Sequence, residues 1–177
     1  MNRRQGQHMT RRVLVLDTTV LCCWLRVPGK EQSGPADDRW DHTRINTLLE
    51  SERQQKSTFV LPMATLIETG NHIAQAPSHR FDRATELAQY LREAADANSP
   101  WAAFTEQSPL WQADNLRALA DTWPELAAGG TSIGDATIKD VAEYYARAGY
   151  CVEILTGDRG LKAYQPVRPV AIPRRRR

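Results

Sequence analysis

Short apolar runs that alternate with segments of helical periodicity are the strongest constraint on the fold of this chain. Strands are predicted at residues 13–17, 57–61 and 151–155, where apolar residues are bounded by polar or turn-forming positions. A further short strand is expected at residues 170–172. Because consecutive parallel strands are joined by crossovers that are usually helical, the alternation predicts an α/β fold with a mostly parallel central sheet flanked by helices.

The intervening segments carry apolar residues at helical intervals. Helices are predicted at residues 18–26, 38–54, 63–75, 80–96, 109–127 and 131–148, with a turn and a short helix at 156–164. The helix at 109–127 is expected to break near Trp123 and Pro124, because proline lacks a backbone N–H and clashes with the preceding turn. Residues 27–37, which contain two prolines and two glycines, are predicted to form a loop.

Length and charge indicate one domain with basic ends. A chain of 177 residues with 41% hydrophobic content fits a single domain, expected at residues 13–172. Residues 1–12 and 173–177 are expected to be basic tails, each with four arginines. Since the whole chain carries only +2, the body between these tails is acidic. This distribution suits a metal-dependent enzyme with a polyanionic substrate, and it equally suits ordinary solubilising ends.

Cysteine usage and hydropathy predict a cytoplasmic protein. The three cysteines, Cys22, Cys23 and Cys151, are odd in number and lack the spacing of a zinc site, so they are expected to be buried thiols in a reducing compartment. No apolar run reaches the roughly 18 residues that a membrane-spanning helix needs. We therefore expect no membrane partner and no export.

Four acidic residues lie at the ends of separate predicted elements: Asp17, Glu68, Asp135 and Asp158. Taken singly, each has a structural explanation, as a helix N-cap, a capping-box acid or a turn residue. Taken together, they lie where the carboxyl ends of parallel strands and the first turns of helices meet, which is where open α/β sheets bind ligands. Carboxylates gathered at one rim repel each other and favour a hard divalent cation such as Mg²⁺ or Mn²⁺.

The order and context of these acids resemble those of PIN-domain nucleases, which carry acids in the order Asp, Glu, Asp, Asp. The resemblance is carried by residues 13–21, Glu68, residues 132–138 and residues 154–161, and the matching order extends over about residues 13–172. It implies a single PIN-like domain and a Mg²⁺- or Mn²⁺-dependent endonuclease, most simply an endoribonuclease acting as a toxin of a toxin–antitoxin or defence system. The family often has Asn or Ser where this chain has Thr19.

The resemblance implies that the four acids are both the catalytic residues and the metal ligands, with Glu68 either a ligand or the group that orients the attacking water. Hydroxyl groups of Thr19, Ser132 and Thr156 are suited to holding those carboxylates in place. Lys139 and Lys162 each follow one of the acids by four residues, and we expect routine ion pairs along the helix surface for both.

Two other classes of function remain open from the residues alone. The first is an aspartyl-phosphate type phosphatase with Asp17 as the nucleophile, although such enzymes usually carry a second Asp where this chain has Thr19. The second is a catalytically silent binding module whose acids serve structure. The expected partners are an RNA substrate, with single-stranded DNA as an alternative, and an antitoxin, another protein or a second copy of this chain, for which the tryptophans of residues 80–127 provide an interface.

Overall fold

The computed structural model describes residues 11–164 and residue 166. Its strands are β1 (Arg12–Leu16), β2 (Gln32–Ser33), β3 (Trp40–Asp41), β4 (Thr58–Val60) and β5 (Cys151–Leu155). Its helices are α1 (Thr18–Trp24), α2 (His42–Gln54), α3 (Met63–Gln75), α4 (Arg80–Ala95), α5 (Ala113–Ala128), α6 (Ile133–Arg147) and α7 (Arg159–Ala163), with a 3₁₀ helix at Phe104–Trp111.

The central sheet has the order β4-β1-β5 within the described residues, and both outer strands run parallel to β1. Val15 lies opposite Val60 on one side, and Leu16 lies opposite Leu155 on the other. The carboxyl ends of all three strands therefore share one edge of the sheet. The predicted α/β class with a parallel sheet is confirmed, while the strand expected at residues 170–172 lies outside the described residues.

Both faces of β1 are buried, which explains its uninterrupted apolar sequence. Leu14 and Leu16 are 0% exposed and face a core that α1, α2 and part of α3 complete. Val13 and Val15, also 0% exposed, face the opposite side, where Ile138 and other residues of α6 pack against them. Each such side chain contributes roughly 1.5–3 kcal/mol through burial. The strand is thus held from both sides, and its carboxyl end is a rigid position for Asp17.

An aromatic cluster closes the outer edge of β4. Trp101 stacks on Trp24 with 6.5 Å between ring centroids, and it meets Phe59 edge to face at 5.9 Å. The ring of Tyr90 stacks on Trp24 at 4.5 Å. Trp101 also donates from Nε1 to Oε2 of Glu93 at 2.8 Å, which satisfies its only polar group. Three of the five tryptophans, Trp24, Trp40 and Trp101, therefore belong to the core.

The predicted loop at 27–37 contains a strand that the sequence pattern does not reveal. β2 pairs with β3 in a two-stranded antiparallel hairpin, too short for its alternation to be recognised. Gly34 lies at the turn of this hairpin with φ +85, and a Cβ there would stand 2.5 Å from the carbonyl oxygen of Asp38. The hairpin approaches the turn after β5, because a Cβ on Gly157 would stand 2.1 Å from Oγ of Ser33.

The predicted break at Trp123 and Pro124 is wrong. α5 continues through Pro124 to Ala128. No residue of this helix is buried, and Ala120, whose carbonyl group proline leaves without its helical donor, is exposed. Pro109 lies inside the 3₁₀ helix and does not begin α5. In the stretch from 11 to 164, none of the helices combines the length and the apolar character that crossing a bilayer requires.

Candidate functional site

Asp17 occupies the carboxyl end of the central strand and is 3% exposed. Its backbone N–H donates to the carbonyl oxygen of Leu155 at 3.0 Å, which continues the β1–β5 pairing by one residue. Its side chain is the N-cap of α1 and accepts from the backbone N–H of Thr19 at 3.3 Å. The side chain therefore combines an ordinary capping role with a buried position at the rim of the sheet.

Two threonines connect the turn after β1 to the turn after β5. Thr156 donates from Oγ1 to Oδ2 of Asp17 at 2.7 Å and accepts from the backbone N–H of Asp158 at 2.9 Å. In the opposite direction, Thr19 donates from Oγ1 to the same Oδ2 at 2.7 Å and accepts from the backbone N–H of Gly157 at 2.9 Å. Each hydroxyl group thus forms hydrogen bonds with both turns. These bonds fix the turn after β1 against the turn after β5.

Burial makes the negative charge of Asp17 costly. Burial raises the pKa of Asp17, and the hydrogen bonds from Thr19 and Thr156 oppose that rise only in part. The two hydroxyl bonds and the bond from the amide of Thr19 all end on Oδ2, so the lone pairs of Oδ1 take no part in them. A cation bound at Oδ1 would replace the stabilisation that water gives to the negative charge of an exposed carboxylate.

Glu68 lies on α3, half-buried, between two other helices. Its Oε2 accepts from Oγ1 of Thr18 at 2.9 Å. Its Oε1 faces Gly134, where a Cβ would stand only 2.2 Å away. Thr65, one turn earlier on α3, donates to the carbonyl oxygen of Leu16 at 2.8 Å and fixes the start of α3 to β1. Glu68 is therefore a carboxylate with neighbours from both α1 and α6.

Asp135 is the third residue of α6 and is partly exposed. Ser132, the N-cap, accepts from the backbone N–H of Asp135 at 3.0 Å. The sequence predicted that the Ser132 hydroxyl holds the carboxylate of Asp135. The contact in the structure is to the backbone, as in the first half of a capping box.

Asp158 is exposed and is the N-cap of the short helix α7. Its Oδ1 accepts from the backbone N–H of Leu161 at 2.9 Å. Asp158 is linked to Asp17 through Thr156, so these two acids belong to one hydrogen-bonded unit at the edge of the sheet.

The structure thus joins Asp17 to the turn of Asp158, and it joins Glu68 to residues that directly follow Asp17 and directly precede Asp135. Within residues 11–164 and 166, no three His, Cys, Asp or Glu side chains stand in an arrangement that could hold a metal ion. The donor set consists only of carboxylate oxygens, which matches Mg²⁺ or Mn²⁺ in chemistry. The acids are therefore linked through intervening residues, and those in the described part of the chain do not form a chelate.

The two lysines near the acids have other partners than the sequence predicted. Lys162 forms an ion pair with Asp38, in the segment after the β2 strand, and it does not pair with Asp158. Lys139 lies over the ring of Tyr164, with Nζ 5.5 Å from the centroid. The expected ion pairs at a spacing of four residues are wrong in both cases, because tertiary neighbours lie closer than the helix-surface acids.

Sequence reasoning missed Thr18 and Gly134 as residues of this site. Thr18 adjoins Asp17, and its position as the first residue of a helix gives no sign of a contact with Glu68. The sequence does carry a signal for Gly134. A glycine in the first turn of a predicted helix weakens that helix and often marks a place where another group approaches the backbone closely.

An apolar groove of about 350 Å³ begins at Glu68 and runs between α3, α5 and α6. It is lined by Ile67, Trp111, Leu116, Ile133 and others, and Ile67 and Ile133 are about half exposed, at 54% and 49%. Apolar surface left open directly beside a carboxylate is suited to contact with a partly apolar ligand.

Comparison with models of known protein families, with curated proteins and with solved structures found no match.

Proposed function

We propose that this protein is a metal-dependent endonuclease of the PIN-like type that hydrolyses phosphodiester bonds in RNA. The observation that carries the proposal is the buried carboxylate of Asp17 at the carboxyl end of the central strand, hydrogen-bonded through Thr156 to the turn that bears Asp158. A helix cap requires no burial and no such connection, since caps at helix ends are usually solvated. A carboxylate held at this position is typical of ligand sites in parallel sheets.

Asp17, Glu68, Asp135 and Asp158 would hold Mg²⁺ or Mn²⁺. When bound, the ion would offset negative charge on the scissile phosphate and make a water molecule acidic enough to act as a nucleophile near neutral pH. Asp135 is partly exposed and Asp158 is exposed, so an ion from solvent could reach both side chains.

The remaining residues of the site have distinct roles in this proposal. Thr19 and Thr156 keep Asp17 in one orientation by donating to its Oδ2. Glu68 is either a fourth ligand or the group that orients the attacking water and accepts its proton. Neither threonine has a titratable proton in the working range, so their contribution is positional.

RNA as the substrate rests on the resemblance to toxin-type nucleases, and single-stranded DNA remains the alternative. The apolar groove beside Glu68 supports a nucleic acid, because exposed Trp111 offers a surface on which a base can stack. Arg3, Arg4, Arg11 and the arginines of residues 173–177 would supply charge for the phosphate backbone, whereas Arg12 belongs to β1 and pairs with Glu52 and Glu153. The same resemblance suggests a cytoplasmic toxin restrained by an antitoxin.

The proposal is tested by cleavage of a structured RNA in the presence of Mg²⁺. Wild type is compared with Asp17→Asn and Asp135→Asn, and Asp121→Asn on the exposed surface of α5 is the matched control. We expect both site variants to lose about 100-fold or more in rate, since each removes a charge that acts on the developing transition state. Equal cleavage by all four proteins would reject the site.

A catalytically silent binding module is the second candidate. It is favoured by two observations: Asp17 and Asp158 both cap helices, and within the described residues no three acids are arranged to hold an ion. Titration calorimetry with Mn²⁺ separates the two candidates. Binding that Asp17→Asn abolishes supports the nuclease, and no heat at millimolar Mn²⁺ supports the module.

A further inference from the structure

We propose that Thr18 and Gly134 are positioning residues, which together fix where the carboxylate of Glu68 stands relative to Asp17 and Asp135. The inference rests on the proposed function. Its basis is that each oxygen of Glu68 meets a different helix: Oε2 accepts from Oγ1 of Thr18, and Oε1 faces the backbone of Gly134.

The hydrogen bond from Thr18 orients the carboxylate of Glu68 and contributes less to holding α3 in place. Thr18 is 5% exposed, and its hydroxyl donates to Glu68 at 2.9 Å. The start of α3 is already fastened to β1 by the bond from Thr65 to Leu16. Loss of the Thr18 hydroxyl therefore leaves α3 attached and releases one oxygen of Glu68.

The Gly134 contact is a close approach that only glycine permits. A Cβ at this position would stand 2.2 Å from Oε1 and 3.3 Å from the carboxyl carbon of Glu68. These atoms form the end of a flexible side chain, so an alanine can be accommodated if the carboxylate moves away. The fold then survives, and the position of Glu68 changes.

The two contacts also tie the position of the Glu68 carboxylate to the positions of the other acids. Thr18 directly follows Asp17 in the chain, and Gly134 directly precedes Asp135. Glu68 comes from a third element, α3, whose backbone is fastened to β1 through Thr65, and the two contacts set the orientation of its side chain. A carboxylate that rotates freely would need to be ordered by the ion itself, which weakens binding.

The test measures Mn²⁺ affinity by titration calorimetry for Thr18→Val, Thr18→Ser and Gly134→Ala. Thr65→Val is the matched control, since it removes a buried threonine hydroxyl of the same region that does not touch an acid. We expect Thr18→Val and Gly134→Ala to weaken binding roughly 10- to 100-fold, as is usual for groups that orient ligands. Thr18→Ser retains the donor and should restore affinity to near wild type, and Thr65→Val should lower only the urea midpoint.

A second measurement, in the presence of a chelator, does not depend on metal. Urea midpoints are compared for Thr18→Val, Glu68→Ala and the double variant, and for Gly134→Ala with and without Glu68→Ala. We expect Thr18→Val to have a much smaller effect once Glu68 is absent. Gly134→Ala should raise the midpoint only in the Glu68→Ala background, where the better helix former meets no carboxylate.

The outcomes separate the two proposals. If wild type binds no Mn²⁺ while the midpoints are non-additive, the proposed function fails and the positioning of Glu68 by Thr18 and Gly134 stands. If the midpoints are additive, or if wild type binds Mn²⁺ and Thr18→Val and Gly134→Ala bind it equally tightly, the positioning role is overturned.

Discussion

The hydroxyl of Thr156 donates to Oδ2 of Asp17, a residue 139 positions earlier in the chain, at 2.7 Å. The same oxygen atom of Thr156 accepts from the backbone N–H of Asp158. One buried hydroxyl group, on a residue that is 2% exposed, therefore joins two acids that the chain brings to neighbouring strands.

Thr156→Val should destabilise the protein by about 1–3 kcal/mol, because the isosteric change leaves the backbone N–H of Asp158 without an acceptor and removes a donor to a buried carboxylate. Urea unfolding in metal-free buffer measures the change. Thr122→Val, which removes an exposed hydroxyl bonded to the carbonyl of Ala118, is the control and should stay within about 0.5 kcal/mol of wild type. Equal midpoints for the two variants would contradict the connecting role of Thr156.

Asp17→Asn should make the metal-free protein more stable at neutral pH. Because the hydrogen bonds from Thr156 and from the hydroxyl and amide of Thr19 end on Oδ2 of Asp17, the carbonyl oxygen of asparagine can accept the same bonds, and Asn caps helices as well as Asp does. The substitution removes the buried charge and keeps these three acceptor bonds.

The stability gained by Asp17→Asn should increase with pH. Burial raises the pKa of Asp17 in the folded state, so protonation stabilises the fold below the unfolded pKa of about 3.9, and this contribution is lost as pH rises through the folded pKa. The advantage of Asp17→Asn should therefore be near zero at pH 3 and grow towards pH 7. It is measured as the difference in free energy of unfolding across that range. A constant difference would show that burial of the charge is not its cause.

Mn²⁺ should raise the melting temperature of wild type. A site saturated at about 100 times its Kd adds about 2.7 kcal/mol of stability. For a chain of 177 residues, this corresponds to a shift of about 5–10 °C. Thermal melts with and without millimolar Mn²⁺ provide the measurement, and Asp17→Asn should show no shift. An unshifted wild type would favour the silent module over the nuclease.

Trp101→Ala should cost about 3–5 kcal/mol, because Trp101 is 3% exposed and contacts Trp24, Phe59 and Tyr90. Loss of the cluster is followed by near-ultraviolet circular dichroism and by urea unfolding. Phe81→Ala is the aromatic control: Phe81 is 82% exposed, and its removal should change stability by no more than about 0.5 kcal/mol. Similar losses for both would mean that the cluster does not support the edge of β4.

Local patterns predicted the elements that carry the site. The apolar run before Asp17 and the run before Thr156 form adjacent parallel strands, and Ser132 caps α6. These elements were predictable because burial on both faces of β1 demands continuous apolar residues, and because a helix end needs a side-chain acceptor.

Features that depend on distant neighbours were not predictable. Lys162 pairs with Asp38, α5 passes through Pro124 on an exposed surface, and a two-stranded hairpin occupies the predicted loop. Each depends on which protein groups, or whether only solvent, lie within a few ångströms. The spacing of residues along the chain does not show this.

The amino-acid sequence by itself determined the α/β class, the strand and helix that meet at Asp17, and the acidic character of the four candidate residues, because these follow from periodicity and side-chain chemistry. The tertiary structure alone decided that Thr156 bridges Asp17 and Asp158, that Thr18 and Gly134 enclose Glu68, and how far each carboxylate is buried. Hydrogen bonds and burial are set by distances between atoms from separate elements, and those distances exist only once β1, β5, α3 and α6 have packed together.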